Sequence, residues 1–525
     1  ILKKAFDVVI NRHESLRTFF KIVEGEPRQF IKKESEFELL EVDFSSSESP
    51  LELAKIYGRK FDKETFDLSR TPLLKASLIK VGENSHILFF AMHHIISDGW
   101  SMKILTNEIY EAYLSIEVNQ TLNLAPLEIH YKDFSHWQNQ TIEDDSNSKL
   151  KDYWNRKLGG DLTVLNLPTD KIRPSNKTYN GTIINQRFDK RVSKEIIHYC
   201  QQNRVSVFAF LTTAVKILLY RYTMQEDIII GSPTAGRNNK QLENQIGFYV
   251  NMLVIRDKIS PNKSFEETLQ SVNQTILEAL EHEAYPFDKI VEDIGVVRDF
   301  SRSPIFDVMV SLDESEGIKN NENRIDESDD FLKASPFNIE EEIAGSSHDL
   351  AFLFSKSEDE ILVNFIYNTD LFEQWKGDQI LKNICDLIEG ILTQLYTPVK
   401  NLEYIREEDK AFLLPKLDRS DWPKKKLIHQ LFEENAIKYP ENIALSFQDE
   451  EITYKELNIK ANKIAHTLRE KGVSRNTIVA LLVERTPDML VSILAILKAG
   501  GAYLPIDPSY PEQRINYTLS DSCAE

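Results

Sequence analysis

Cysteine is scarce: there are three in 525 residues, Cys200, Cys385 and Cys523, far apart and with no C-x-x-C pair. That argues against a disulfide framework or a thiolate zinc site, and makes a reducing cytoplasm the natural setting. No pattern around the three thiols points to a catalytic cysteine. Basic charge is also short, with 63 Lys and Arg against 83 Asp and Glu and a net charge of −20. Nucleic acid and anionic membrane surfaces both require a basic patch, so neither is an expected partner. Apolar runs such as Ala411-Phe412-Leu413-Leu414 are brief, and none approaches the ~18 residues of a membrane span. A signal peptide is not expected from the opening residues, and no repeat of solenoid period is read. The chain opens on Ile1-Leu2-Lys3-Lys4-Ala5-Phe6-Asp7 without an initiator Met, and reads as a piece of a longer polypeptide.

What is present is globular material, 41% hydrophobic. At ~100–200 residues per domain, the length suggests about two to four structural units. Residues 1–20 read as a helix. Strands are expected at 74–80 and 86–92 around a Gly82-Glu83-Asn84 turn, followed by a helix from Trp100 to Leu114 with Met102, Leu105, Ile109 and Tyr113 at helical spacing. Glycines and prolines crowd residues 159–181, as at a lobe boundary. A second cycle follows: helices near 193–203 and 206–222, a strand at Asp227–Gly231, and Ser264 with Glu267 as a capping box for a helix Phe265–Leu280. A strand Glu360–Tyr367 and a helix 374–394 come next. Residues 313–330 are acidic and aperiodic and read as a mobile surface loop. Residues 406–426 read as a linker. Beyond it, Thr453 with Glu456 caps a helix ending at Lys471-Gly472, and Thr486-Pro487 opens one that stops at Gly500-Gly501.

The most informative local stretch is Met92-His93-His94-Ile95-Ile96-Ser97-Asp98-Gly99-Trp100. A strand delivers two adjacent histidines, and adjacent strand residues face opposite sides. One ring can enter a cleft while the other packs inward. A neutral imidazole accepts a proton near neutral pH, which suits general-base work. Asp98 could orient a ring or anchor the turn, and Gly99 is expected to permit a backbone geometry that a side chain would hinder. The plainer reading is two surface histidines before an ordinary Asp-Gly turn. No ligand-spaced His or carboxylate cluster accompanies them, so a metal is not expected.

His93-His94-x-x-x-Asp98-Gly99 resembles the HHxxxDG signature of nonribosomal peptide synthetase condensation domains, within the chloramphenicol acetyltransferase-like superfamily. Six further segments resemble that family's motifs in its order. They are Arg12-His13-Glu14-x-Leu16-Arg17-Thr18-x-Phe20 (RHExLRTxF), Tyr131-x-Asp133-Phe134-x-x-Trp137-Gln138 (YxDYAxWQ) and Ile246-Gly247-Phe248-Tyr249-Val250-Asn251 (IGxFVN). Then come His282-Glu283-Ala284-Tyr285-Pro286-Phe287-Asp288 (HQDYPFE), Arg298 to Phe306 (RDxSRxPLF) and Tyr367-Asn368-Thr369-Asp370-Leu371-Phe372 (YNTDLF). The family's first motif, SxAQxRLW, is absent, so the domain is expected to be truncated at its start. Met252 stands where the family has Thr, and Glu283 and Ala284 where it has Gln and Asp. Ile452-Thr453-Tyr454-x-Glu456-Leu457 and Leu497 to Asp507 resemble the LTYxEL and LKAGxAYxPID motifs of adenylation domains. The chain stops before that family's phosphate loop, so the resemblance implies no ATP site. Leu158-Gly159-Gly160-Asp161 lacks the serine of a carrier protein's LGGDS. Gly231-Ser232-Pro233-Thr234-Ala235-Gly236-Arg237 lacks the ending of a phosphate loop and reads as a strand end and loop.

The resemblance implies an α/β fold: two chloramphenicol acetyltransferase-like lobes in a V-shaped pseudo-dimer, plus a partial adenylation fragment. The expected boundaries are 1–175 and 176–405 for the lobes, 406–426 for the linker and 427–525 for the fragment. It implies amide formation between a donor acyl or peptidyl thioester and an acceptor aminoacyl thioester. Both would ride on phosphopantetheine arms of upstream and downstream carrier proteins, with no cofactor bound directly. His94 is expected to receive or orient the amine proton and His93 to pack within its lobe. Asp98 is expected to be structural, paired with an arginine such as Arg17, and Gly99 completes the motif. Arg12, Arg17, Trp137 and Asn251 are candidates for positioning substrate or structure, Asn251 as a lining of the cleft. Rival readings are epimerisation of a carrier-bound thioester and a non-catalytic carrier-docking module.

Overall fold

The computed structural model describes residues 1–525 except 35, 121, 123, 144–147, 297, 315–334, 336, 338–342, 407–408, 411–425, 449 and 525. Most of the acidic 313–330 stretch and most of the expected linker therefore lie outside the described residues. Residues 1–413 and 414–525 form two compact units.

The first unit begins with α1 (Leu2–Arg12), which buries Ala5, Phe6, Val9 and Ile10 on one face. The helix expected to reach residue 20 ends eight residues earlier. His13 is extended, Glu14–Arg17 forms a 3-10 turn, and Thr18-Phe19-Phe20, β-branched and aromatic, enters strand β1 (Thr18–Val23). Strand β1 pairs with β2 (Glu26–Ile31) as a hairpin. Strand β3 (Leu39–Asp43), helix α2 (Pro50–Lys63) and strands β4 (Leu74–Lys80) and β5 (His86–Met92) follow. Strand β4 runs parallel to β3 and antiparallel to β5, with Leu74 opposite Met92. Helices α3 (Gly99–Glu117), α4 (Tyr131–Glu143) and α5 (Ser148–Leu158) complete this part.

A seven-stranded mixed sheet then forms from β6 (Asn180–Arg187), β7 (Asp227–Thr234), β8 (Asn251–Lys258), β9 (Val308–Asp313), β10 (Ile343–Gly345), β11 (Leu350–Lys356) and β12 (Ile361–Asn368). Its order is β10-β6-β12-β11-β9-β7-β8. Helices α6 (Lys190–Asn203), α7 (Val207–Thr223), α8 (Phe265–Glu281), α9 (Phe287–Asp293) and α10 (Gln374–Ile391) accompany it. The Ser264–Glu267 capping box forms as the residues predict. Helix α7 is buried along Val207–Tyr220 save Phe208 and centres the largest apolar cluster. Lys216 lies inside that cluster. Its Nζ donates to Ile228 O, Ile255 O and Asp257 Oδ2 at 3.2, 2.8 and 2.8 Å, and Thr275 Oγ1 donates to Asp257 Oδ1 at 2.6 Å. No single described helix is long and apolar enough to cross a membrane; α6 and α7 reach the length together but are bent by 110°.

A second cluster packs α1, α3 and the strands before them, and it includes Ile246 from the distant segment before β8. A third packs Tyr153, Trp154 and Leu158 of α5 on Leu253, Val254, Tyr285 and Phe306.

The second unit has α11 (Ile428–Lys438), β13 (Ile443–Phe447), β14 (Glu450–Thr453), α12 (Tyr454–Glu470), β15 (Ile478–Leu482), α13 (Pro487–Ala499), β16 (Ala502–Ile506) and α14 (Glu512–Ser522). Strands β13 and β14 are antiparallel, β15 and β16 parallel. The expected capping box on α12 is present, and α13 stops at Gly500 in the left-handed conformation. Lys498 is buried and its Nζ joins the side chains of Glu433, Asn458 and Asn462 at 2.6 to 2.8 Å.

Candidate active site

Strand β5 ends at Met92, and the chain turns through His93, a 3-10 turn His94–Ile96 and Ser97 into α3. Both histidines lie beyond the strand, so the turn and not strand alternation parts them. His93 is half-buried; its Nδ1 accepts from Ile95 N at 3.0 Å and its ring meets Phe66 at 6.0 Å and 88°. His94 is exposed, and its ring meets Phe248 at 5.1 Å and 89°.

Asp98 is buried and works as the junction of the turn. Its Oδ1 accepts from Ser101 N and Ser101 Oγ, both at 2.7 Å, which caps α3. Arg237 Nη2 reaches both carboxylate oxygens at 3.1 Å, and Tyr249 N donates to Oδ2 at 3.1 Å. The arginine partner is thus Arg237 and not Arg17. Arg17 is spent on carbonyls: Nε donates to Ile10 O and Nη2 to Asn11 O, both at 3.2 Å, while Nη1 donates to Lys32 O and Lys33 O. It staples the end of α1 to the chain after β2. Arg237 is buried too and donates to Leu242 O and Gln245 O at 2.5 and 2.7 Å. Its guanidinium lies 4.2 Å from the Tyr249 ring centroid. Burial lowers its pKa, opposed by the Asp98 charge.

Further bonds fix the segment before β8 against this turn. Ser101 Oγ accepts from Gly247 N at 3.1 Å, and its one proton, shared with Asp98, also faces Gly247 O at 2.9 Å. Trp100 Nε1 donates to Glu243 O at 2.8 Å, and Ser15 Oγ to Ile246 O at 2.6 Å. A Cβ on Gly247 would stand 2.5 Å from the Tyr131 ring, so only glycine lets the segment lie against that ring. Burial, with the Asp98 charge adding, pushes the Tyr131 phenol up to about 12.

Gly99 corrects an expectation. It is the first residue of α3, its φ lies outside the positive range, and a Cβ there would meet nothing within 4 Å. Neither backbone strain nor protein packing demands glycine; what it leaves is open space beside the turn.

The remaining candidates separate. Arg12 Nε donates to Glu108 Oε1 at 3.1 Å, and His13 Nε2 bonds Glu108 Oε2 at 2.8 Å, which ties α1 to α3. Burial lowers the His13 pKa against the raising effect of Glu108. Trp137 is exposed, its ring 5.9 Å from Phe134, which in turn packs on Tyr249 at 4.8 Å. Asn251 was expected to line a cleft, and its amide is instead used up by backbone. Its Nδ2 donates to Glu283 O and Tyr285 O at 2.8 Å, and its Oδ1 accepts from Met252 N and Phe287 N at 2.9 and 3.0 Å. It holds the 283–287 turn to the start of β8.

Reading from sequence missed Arg237, Ser101, Glu108 and Phe248. Arg237 ends the Gly231–Arg237 stretch read only as strand end and loop, and its signal, a cation beside glycine-rich chain, names no partner. Among the described residues there is no group of three His, Cys, Asp or Glu able to hold a metal.

A profile of the condensation-domain family matches residues 1–414, and one of AMP-binding enzymes matches residues 432–525. The chain is 37% identical over 524 residues to bacitracin synthase 3 of Bacillus licheniformis, covering 99% of this chain and 8% of the relative. It is 35% identical over 522 residues to gramicidin S synthase 2 of Aneurinibacillus migulanus, covering 99% and 11%. A solved four-domain nonribosomal peptide synthetase bound to AMP and glycine superposes with a TM-score of 0.73 at 20% identity, over 99% of this chain and 40% of that one. The X-domain from teicoplanin biosynthesis gives 0.66 at 22%, over 77% and 89%. At these identities the structural likeness speaks for the fold. The class is that of an acyltransferase-type enzymatic domain. The chain belongs to the condensation-domain family of nonribosomal peptide synthetases, and continues into part of an AMP-binding segment. It spans only 8% and 11% of the length of those two curated relatives.

Proposed function

We propose that this chain joins a donor acyl or peptidyl thioester to the amine of an acceptor aminoacyl thioester, each carried on the phosphopantetheine arm of a carrier protein. The observation that supports it most is the exposed His94 ring, carried on a turn whose backbone Asp98 and Arg237 lock in place. The amine attacks the thioester carbonyl, a C–N bond forms, the C–S bond breaks and the thiol leaves. His94 takes or orients the amine proton and returns it toward the departing sulfur. The thioester is already activated, so the step consumes no ATP. Positioning two tethered reactants can supply ~7–11 kcal/mol of a barrier in favourable systems. The open space beside Gly99 leaves room for the reacting groups. His93 and Asp98 act by holding the turn, and Arg12, Arg17 and Asn251 by holding the elements around it.

The same reading places two lobes at 1–175 and 176–405, a linker at 406–426 and an adenylation fragment at 427–525. Its partners are a donor and an acceptor carrier protein and the rest of an adenylation domain. The test is single-turnover condensation: the protein is mixed with donor-loaded and acceptor-loaded carriers and the product read by mass spectrometry. Product from the native chain and none from a folded His94→Ala variant is the expected result. Equal product from both would remove His94 from the reaction.

A further inference from the structure

A catalytic base is ordinarily held by a third group that bonds its far nitrogen. His94 has no such bond among the described residues. The carboxylate nearest in sequence, Asp98, is fully engaged by Ser101, Arg237 and Tyr249. A histidine's outer torsion is broad and roughly two-fold, so an imidazole without a partner samples many orientations. The described ring contact of His94 is Phe248, perpendicular at 5.1 Å.

Phe248 is well placed to restrain it. Both its chain neighbours are bonded to the turn that carries His94: Gly247 to Ser101 Oγ through N and O, and Tyr249 N to Asp98. Ile246, two residues earlier, is buried in the apolar cluster that also holds Ile96. The Phe248 backbone therefore cannot drift relative to His94. Yet its ring is 39% exposed and is absent from the apolar clusters that hold the fold. An aromatic side chain on a rigid segment, directed at an exposed histidine, has little to do for stability.

We propose that Phe248 is a positioning residue for the condensation reaction, whose ring sets the orientation of the His94 imidazole through an edge-to-face contact in place of an orienting hydrogen bond. The inference rests on the reading of His94 given above. An edge-to-face pair of this kind holds its partner ring only modestly beyond what burial supplies. Removing the ring is therefore expected to lower turnover about two- to twelvefold.

The experiment compares the native chain with Phe248→Ala, Phe248→Leu and Phe248→Tyr in single-turnover condensation at varied acceptor-carrier concentration. Histidine-labelled NMR follows the His94 ring, assigned by its loss in His94→Gln. Phe248→Ala and Phe248→Leu should lower kcat about two- to twelvefold with KM little changed, and the His94 signals should lose their ring-current displacement. Phe248→Tyr should restore both, because it keeps the ring. Native kcat in Phe248→Ala and Phe248→Leu, with His94→Gln inactive, would overturn the proposal and leave the function standing. A rise in KM alone would make Phe248 a substrate contact and overturn it too. Equal product from the native chain and His94→Gln would instead break the reading of His94 itself.

Discussion

Two deeply buried ion pairs of the first unit do different work. Lys216–Asp257 lies inside the core of the seven-stranded sheet, where the ammonium also meets two carbonyls and the carboxylate a threonine. All its partners lie between residues 216 and 275 and within one apolar cluster's neighbourhood. Asp98–Arg237 joins residues 139 apart in the chain, and its carboxylate also caps a helix and takes a backbone amide from a third stretch. The first pair is a local clamp in a core that hydrophobic contacts would hold anyway. The second fixes the histidine turn to the 237–249 segment by charge. A buried pair is weak evidence for stability as such, since apolar replacements can match it, but removing one partner is costly.

That contrast can be broken in order of effect. Arg237→Leu leaves Asp98 buried and unpaired, and should cost about 3–5 kcal/mol and abolish condensation in whatever fraction stays folded. Lys216→Met should cost a similar amount, read by denaturant unfolding, while the folded fraction keeps turning over. Inactive, well-folded Lys216→Met would erase the distinction. Replacing both partners should sharpen it. Lys216→Met with Asp257→Leu should recover part of the lost stability, because an apolar pair suits that core although Thr275 Oγ1 and two carbonyls lose a partner. Arg237→Leu with Asp98→Leu should not, because the α3 cap and the Tyr249 amide lose their acceptor as well.

A third group, half-buried, has no opposite charge among its described ring contacts. His348 stacks on Phe306 at 5.4 Å, and burial, with Lys177 adding, lowers its pKa to about 4. The folded chain keeps it neutral, while the unfolded chain protonates it below its ordinary value of 6.5. Its contribution is therefore intact above pH 6.5 and declines as pH falls toward about 4, by on the order of 2–3 kcal/mol. His348→Gln should flatten that part of the stability-versus-pH curve; an unchanged slope would locate the acid sensitivity elsewhere. The smallest effect is expected at Gly99→Ala, where a Cβ meets nothing. Stability should stay within about 1 kcal/mol of native, on the favourable side, since alanine suits a helix better. A fall in turnover without a fall in melting temperature would mark the open space as substrate volume.

Much of this was legible in the chain. Strands β4 and β5 lie at the residues expected on either side of the Gly82-Glu83-Asn84 turn, and both threonine- and serine-led capping boxes formed. These are local signals, complete within a few residues. The motif around His93 and His94 was equally local, and the structure kept its division of one inward and one outward ring. Most of the failures are long-range. Nothing near Asp98 marks a partner 139 positions away, and Arg17, nearer and in a recognised motif, was the natural wrong choice. Asn251 was read as lining because its bonds go to backbone of the 251–287 region, which carries no side-chain signature. Phe248 fell on the variable position of its motif, so the resemblance was silent about it. Helix α1 was overextended because the apolar period continues through Leu16, Phe19 and Phe20 although the backbone has changed form at His13.

The insertion of Ile246 among α1, α3 and the turn before α3 has a consequence for the order of events during synthesis. Domains fold from the N-terminus as they emerge, yet the histidine turn cannot be completed until residues 237–249 have left the ribosome. A nascent chain that ends before them carries both histidines but neither the arginine that neutralises Asp98 nor the ring beside His94. Completion of this turn is thus timed by chain length: until Arg237 and Ile246 emerge, Asp98 has no cation beside it and the apolar cluster around the turn lacks its last member.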